Sequence, residues 1–178
     1  MQRQLRLLAG VVVLMAAGCN LPPPRTWVRF EPAGPSDWRS AGGLLVGRLH
    51  EADVQIDLTN KQTKVQVTVE NRSAHTLEFR VGPDDATPHG AVGQVLLRQL
   101  DAGVIGGPET MEYNAKQPQT VAAGWRATFF IDRPLGRDVV LDQRFVLGIE
   151  ARDPAGVMQR RALPLRAVSG GTIPADGF

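Results

Sequence analysis

The sequence predicts an all-β fold, a β-sandwich of seven to nine short strands, and three observations lead to it. Apolar and polar residues alternate with a period of two in several short runs, which indicates strands with one buried face. Glycine and proline are frequent, with 19 and 13 in 178 residues, and they separate these runs at intervals typical of turns. After the first 18 residues, no run has the periodicity of an amphipathic helix.

The clearest strand pair lies in the first half of the chain. Residues 54–59 and 64–70 each alternate apolar and polar side chains, with valine and isoleucine on the apolar face. Residues 60–63 separate the two runs at the length of a hairpin loop. A short strand over residues 76–81 follows a turn at residues 71–73.

The second half of the chain repeats this pattern after an irregular segment. Residues 101–118 are the least regular, and a loop of that length is either functional or mobile. Alternation returns at residues 125–132 and 144–152. Asp-Pro-Ala-Gly at residues 153–156 predicts a turn, and residues 157–165 supply a last strand. Phe130 falls on the outward face of its run, so it is a candidate contact for a partner or a membrane.

Residues 1–18 have the features of a secretory signal peptide, which we expect to form a short signal helix before it is removed. Arg3 and Arg6 precede an apolar run, and small residues end it. The run spans 12 residues, from Leu7 to Gly18. A helix needs about 20 to cross the hydrocarbon core, so a permanent transmembrane anchor is not expected.

The end of this run resembles the lipobox of bacterial lipoproteins, in the residues Ala16-Ala17-Gly18-Cys19. Ala16 departs mildly from that pattern, since a leucine is commoner there. The resemblance implies cleavage between Gly18 and Cys19, a diacylglyceryl thioether on Cys19, and acylation of the new amino group. Cys19 is the single cysteine, so lipidation would leave the mature domain without a thiol or disulfide. By the same resemblance, Asn20 favours the outer membrane, facing the periplasm, over the inner membrane.

The remaining chain divides into a tether, a domain and a tail. We expect residues 19–43 to be the lipidated cysteine and a proline-rich tether, residues 44–168 the sandwich, and residues 169–178 a flexible tail. Three aromatic residues of the tether segment either pin it onto the domain or form a contact surface for a membrane or partner. They are Trp27, Phe30 and Trp38.

A looser resemblance concerns the domain itself. The Asn-x-Ser turn at residues 71–73 follows a strand, and Thr-Val-Ala-Ala-Gly-Trp at residues 120–125 leads into another. These features resemble the immunoglobulin-like domains of bacterial envelope proteins, and residues 64–81 and 120–132 carry the likeness. It implies an immunoglobulin-like sandwich and transfers no functional residues.

Charge and cysteine content exclude several classes of function. Removal of residues 1–18 leaves 160 residues with 18 basic and 18 acidic side chains, so the mature chain is formally neutral. A neutral chain without a long basic run argues against nucleic-acid binding. The absence of cysteine from the folded part excludes thiol catalysis and cysteine-based metal centres, and we expect no cofactor.

The sequence contains few candidate catalytic or metal-binding residues. His50, His75 and His89 show no ligand spacing, and no serine lies in a nucleophile-elbow context. Asp84, Asp85 and His89 share one loop and are weak metal candidates, although loops of this composition are mostly turns.

A series of arginines in the second half suggests a solvated sheet face or, alternatively, a mildly basic patch that meets an anionic glycan or a partner. The series is Arg126, Arg133, Arg137, Arg144, Arg152, Arg160, Arg161 and Arg166.

These observations favour a non-enzymatic, lipid-anchored envelope lipoprotein that binds another envelope protein or a glycan. Exposed sheet edges suit strand addition by a partner peptide. One alternative is a small-ligand or metal-binding periplasmic lipoprotein that uses the loop at residues 82–90. Another is a hydrolase whose histidines and acids converge only in three dimensions.

Overall fold

The computed structural model describes residues 25–59, 64–83, 92–101, 109–132 and 140–173. Within these ranges the chain forms twelve β-strands and no helix, in two antiparallel sheets that share one apolar core. This confirms the all-β, sandwich-like class. None of the described residues belongs to an apolar helix of membrane-spanning length.

The two sheets have five and seven strands. The smaller sheet has the order β1-β12-β11-β6-β9, and the larger has the order β2-β3-β4-β5-β10-β7-β8. The strands are β1 (Arg25–Pro32), β2 (Arg39–Ala41), β3 (Leu44–Leu49), β4 (Ala52–Asp57), β5 (Lys64–Asn71), β6 (Leu77–Pro83), β7 (Val92–Gln99), β8 (Glu109–Asn114), β9 (Gln119–Val121), β10 (Trp125–Asp132), β11 (Arg144–Arg152) and β12 (Met158–Ile173).

The alternating runs form the strands at the centre of each sheet. β5 pairs with β4 and β10, so Val67 lies between Ile56 and Phe129 in one cross-strand row. All three side chains are fully buried. Phe79 and Leu147 of the smaller sheet face the same core. Alternation therefore predicted both the strands and their buried faces, because successive side chains of a strand point to opposite sides.

The structure has more strands than the seven to nine expected, and the additional ones lie in segments predicted to be irregular. β1 and β2 fall within the predicted tether, β8 within the irregular residues 101–118, and β12 continues to Ile173 in the predicted tail. β1 depends on partners far away in sequence, since Arg25 lies opposite Ile173. β8 exposes five of its six residues, so it has no alternating pattern to detect.

Two of the three tether aromatics are core residues rather than a contact surface. Phe30 is 3% exposed and meets Phe145 edge-on at a centroid distance of 5.2 Å. Trp38 is 6% exposed and packs against Gly47 under the Arg161 guanidinium, 5.6 Å from the ring centroid. Burial makes both unavailable to a membrane or partner. The backbone of Trp27 pairs with Gly171, while its side chain is outside the described part.

Tyr113 joins the two sheets. It belongs to β8 of the larger sheet, is 3% exposed, and packs edge-on against Phe129 at 4.9 Å. Its hydroxyl accepts a hydrogen bond from the Val81 N–H (2.7 Å) and donates one to the Val81 carbonyl (2.9 Å). β9 pairs with β6 only at residues 77–79, so the hydroxyl takes the place of a strand partner at Val81.

Candidate functional site

Three turns converge at one end of the sandwich and form an open cleft of about 340 Å³. They are the β3–β4, β5–β6 and β11–β12 turns. This end cleft is lined by His50, Glu51, Ser73, His75, Leu77, Asp153, Pro154 and Ala155. It therefore joins residues that lie up to a hundred positions apart in the sequence.

A buried asparagine shapes the β5–β6 turn. Asn71 is fully buried, and its amide nitrogen donates to the carbonyls of His75 (2.8 Å) and Val121 (2.9 Å). Its amide oxygen accepts from the backbone N–H (3.1 Å) and the hydroxyl (2.6 Å) of Ser73. All four hydrogen-bonding positions of the amide are thus used, which holds the backbone of His75 at the cleft.

The hydroxyl of Ser73 serves this turn rather than catalysis. It lies 2.6 Å from the Asn71 amide oxygen and 2.8 Å from the His75 carbonyl, and it accepts from the His75 N–H at 3.2 Å. Within the described ranges no imidazole is hydrogen-bonded to it. A serine nucleophile requires such a base, so the geometry does not assemble a hydrolytic pair.

His50 adopts an unusual backbone conformation at the β3–β4 turn. Its φ is 50°, a left-handed value at the first position of a two-residue turn, where glycine is the preferred residue. The backbone N–H donates to the Gln159 side chain (2.5 Å), and Nε2 lies 3.1 Å from the Ala151 carbonyl. A carbonyl can only accept, so Nε2 carries a proton in this contact. These contacts tie the larger sheet to β11 and β12.

Carboxylates complete the end cleft. Glu51 is exposed beside His50, and Asp153 is half-buried, with one oxygen accepting from the Val157 N–H at 2.8 Å. Among the residues described, no three or more His, Cys, Asp or Glu side chains are arranged to hold a metal ion. The cleft thus offers two imidazoles and two carboxylates around Leu77, Pro154 and Ala155, which suits ligand binding.

The remaining predicted site residues lie in three different settings: in the end cleft, on an outer sheet face, or outside the described residues. His50 and His75 come together in the end cleft. Phe130 is half-buried on the outer face of the larger sheet, as predicted, and its contact role stays a prediction. Gly18, Cys19, Asp84, Asp85 and His89 are outside the described residues, so the lipidation and metal hypotheses stay predictions. The turn at residues 153–156 was recognisable in the sequence, but its approach to both histidines was not.

A second candidate is the outer face of the smaller sheet, where arginine outnumbers glutamate. Side chains opposite the core in β1, β6, β11 and β12 point to this face. Its described charged residues, here called the basic face, are Arg29, Glu31, Glu78, Arg80, Arg144, Glu150, Arg152, Arg160 and Arg166.

The three glutamates of the basic face pair with four of its arginines. Glu31 binds Arg29 at 2.6 Å, and Glu78 lies 3.9 Å from Arg152. Glu150 lies between Arg80 (3.7 Å) and Arg160 (3.6 Å).

Two arginines remain, and they oppose each other. Arg144 and Arg166 are directly cross-strand partners, and neither forms an ion pair with another described residue. Nε of Arg166 is buried without a hydrogen-bond partner. Like charges in this position repel each other. Arg144 also borders a groove of about 530 Å³, whose other lining residues are Ala33, Phe145, Val146, Arg160, Pro164 and Leu165.

The outer face of the larger sheet carries a compensated ion-pair row instead. The Glu70 side chain is 9% exposed and is held by Arg126 and by Arg72, the latter at 2.5 Å. Burial acts to raise the pKa of Glu70, but the two guanidiniums outweigh it and hold this pKa below its usual value. Asp53 extends the row, with contacts to Arg48 (3.1 Å) and Arg72 (3.5 Å).

Comparisons with known proteins give no family. No protein-family model matches the chain, and no curated protein is similar to it. Among solved structures, the chain has similarity to the X-ray structure of Northeast Structural Genomics Consortium target SoR45, with 8% sequence identity and a TM-score of 0.28. The match covers 82% of this chain and 86% of that chain. A similarity at this level supports no functional argument.

Proposed function

We propose that this chain is a lipid-anchored lipoprotein of the cell envelope whose end cleft binds a segment of another envelope protein. In this proposal a signal helix is removed, Cys19 carries the lipid, and the domain faces the periplasm from the outer membrane. The domain is a non-enzymatic module with an immunoglobulin-like sandwich. The lipobox-like residues before Cys19 support the anchor, and the end cleft supports the binding role.

One observation carries the binding role: Arg25, the first described residue after the proposed anchor, and the end cleft lie at opposite ends of the domain. Arg25, the first described residue, pairs with Ile173 at the far end of β12. The cleft is built around residues 153–155, immediately before the other end of β12. A strand of 16 residues spans roughly 50 Å at about 3.3 Å per residue. A lipid on Cys19 therefore leaves the end cleft open to a partner.

The lining chemistry favours a protein segment as the ligand. Glu51 and Asp153 are acceptors for a basic side chain, and the imidazoles of His50 and His75 add hydrogen-bonding groups. Pro154 and Ala155 provide exposed apolar surface beside them, above the buried Leu77. A peptide with a basic residue next to an apolar one satisfies both parts of the cleft, whereas a glycan would leave the apolar part unused.

Site-specific photocrosslinking in intact cells tests this proposal. A photoreactive amino acid at Ala155 probes the end cleft, and one at Ala41 is the matched control, since both alanines are exposed and Ala41 lies toward the other end of β3. We expect a discrete adduct from Ala155 only, and its loss when Glu51→Lys cancels the negative charge of Glu51 and Asp153 in the cleft. Identical adducts from both positions, or an Ala155 adduct that survives the Glu51→Lys substitution, would contradict the proposal.

A further inference from the structure

The two outer faces of the sandwich differ in charge balance, although the predicted mature chain is formally neutral. The basic face has six arginines and three glutamates. The outer face of the larger sheet has equal numbers, four arginines and four acids, among the strand residues whose side chains the structure describes. These are Arg39, Arg48, Arg98, Arg126, Asp53, Asp57, Glu70 and Glu112. The excess of positive charge on described strand residues therefore lies on the smaller sheet.

The proposed anchor emerges beside the basic face. β1 is the edge strand of the smaller sheet, and its Glu31 lies opposite Arg166. Cys19 precedes Arg25 by six residues, a stretch that spans about 20 Å when fully extended. Electrostatic attraction to a membrane decays over about 8 Å at physiological ionic strength. Such a short tether keeps the basic face close enough to the bilayer for contact.

We propose that the basic face rests on the anionic headgroups of the membrane that holds the anchor, with Arg144 and Arg166 as its principal contacts. This orientation depends on the lipidation proposed above. Within the described ranges Arg144 and Arg166 form no ion pair, because Glu31, the other cross-strand neighbour of Arg166, binds Arg29. Their mutual repulsion is relieved when phosphate groups bind both. The larger sheet, whose outer charges balance, then faces away from the bilayer, and the end cleft opens sideways.

The orientation can be measured because Cys19 is the only cysteine. In the lipidated protein, an introduced cysteine is the single thiol available for a fluorescent label. Val146→Cys places the label on the basic face, and Thr110→Cys places it on the outer face of the larger sheet. The labelled proteins are reconstituted in vesicles of phosphatidylcholine with or without phosphatidylglycerol, and quenching by headgroup-attached quenchers is recorded.

We expect strong quenching at position 146 and little at position 110, only in vesicles that contain phosphatidylglycerol, and loss of the difference at high salt. Arg144→Gln with Arg166→Gln should weaken the docked state by on the order of 20-fold, since each arginine near an anionic surface contributes roughly fivefold. Arg48→Gln with Arg98→Gln removes the same charge from the opposite face and should have no effect. Denaturant unfolding of each variant verifies that its fold is intact.

Three outcomes separate the proposals. Equal quenching at both positions in a lipidated protein overturns the orientation and leaves the anchor intact. The orientation is also overturned if quenching at position 146 is the same with and without phosphatidylglycerol, or if it persists in the Arg144→Gln, Arg166→Gln double variant. A chain that receives no lipid in cells refutes the proposed anchor instead.

Discussion

The hydroxyl of Tyr113 should account for a measurable part of the stability of the domain. Tyr113→Phe removes one oxygen and keeps the ring, so the edge-on contact with Phe129 survives. The N–H and carbonyl of Val81 then lose their partner in a buried position. Each of the two hydrogen bonds contributes about 1 kcal/mol, and the unpaired groups of Val81 add the cost of their burial. The free energy of unfolding should therefore fall by about 2–3 kcal/mol. For a chain of this size, the melting temperature should fall by roughly 5–10 °C.

The same residue predicts a loss of stability at alkaline pH. Burial raises the pKa of Tyr113 to about 12 from an ordinary value of 10.0. The folded state therefore favours the protonated phenol, and this contribution is complete below pH 10 and is lost as pH rises through 12. Two pKa units correspond to about 3 kcal/mol, so the stability gap between wild type and Tyr113→Phe should close over this interval.

Tyr113 is the only tyrosine, so absorbance of tyrosinate titrates this residue alone. Urea unfolding of wild type and Tyr113→Phe across the same pH range gives the stabilities. Thr110→Val, an exposed change on the same strand, is the control and should be nearly neutral. A titration midpoint near 10, or a Tyr113→Phe loss below about 0.5 kcal/mol, would refute the bridging role of the hydroxyl.

Four further variants test the remaining structural and functional conclusions. Asn71→Ala removes four hydrogen bonds of a buried amide and should lower the free energy of unfolding by about 3 kcal/mol, while Ser73→Ala should lower it by about 1 kcal/mol, both measured by urea denaturation. Glu70→Gln should destabilise at neutral pH. Because the pKa of Glu70 is lowered in the folded state, wild type should approach the variant as acid protonates this carboxyl, and a gap that persists in acid would count against the ion-pair assignment. Cys19→Ala should abolish labelling by radioactive fatty acid and leave an uncleaved precursor on immunoblots; unchanged processing would end the lipoprotein hypothesis.

The sequence predicted the centre of each sheet well and its edges poorly. Alternation at residues 54–59 and 125–132 is a local property, so it identified most of β4 (Ala52–Asp57) and all of β10 together with their buried faces. β1 and β8 are edge strands whose positions depend on partners distant in sequence. The interpretation of Phe30 and Trp38 had two alternatives, and only their burial decided between them.

For the candidate sites, too, the sequence predicted local features but not which residues meet in space. The sequence supplied His50, His75 and the turn at residues 153–156 as separate features, and only folding brought them into one cleft. The sequence also showed the arginine series, but it did not show which arginines face each other. Strand pairing placed Arg144 opposite Arg166. No sequence pattern identified Tyr113 as a bridging residue, because it lies in the segment predicted to be irregular.

By itself, the sequence determined the all-β class, the buried faces of the central strands, the neutral charge of the predicted mature chain and the lipoprotein hypothesis. Each of these follows from composition or from neighbours within a few residues. Tertiary structure alone decided the sheet edges, the end cleft and the charge balance of the two outer faces. These features arise from pairing between strands up to about 150 positions apart, as in Arg25 and Ile173, and local alternation carries no information about such pairs.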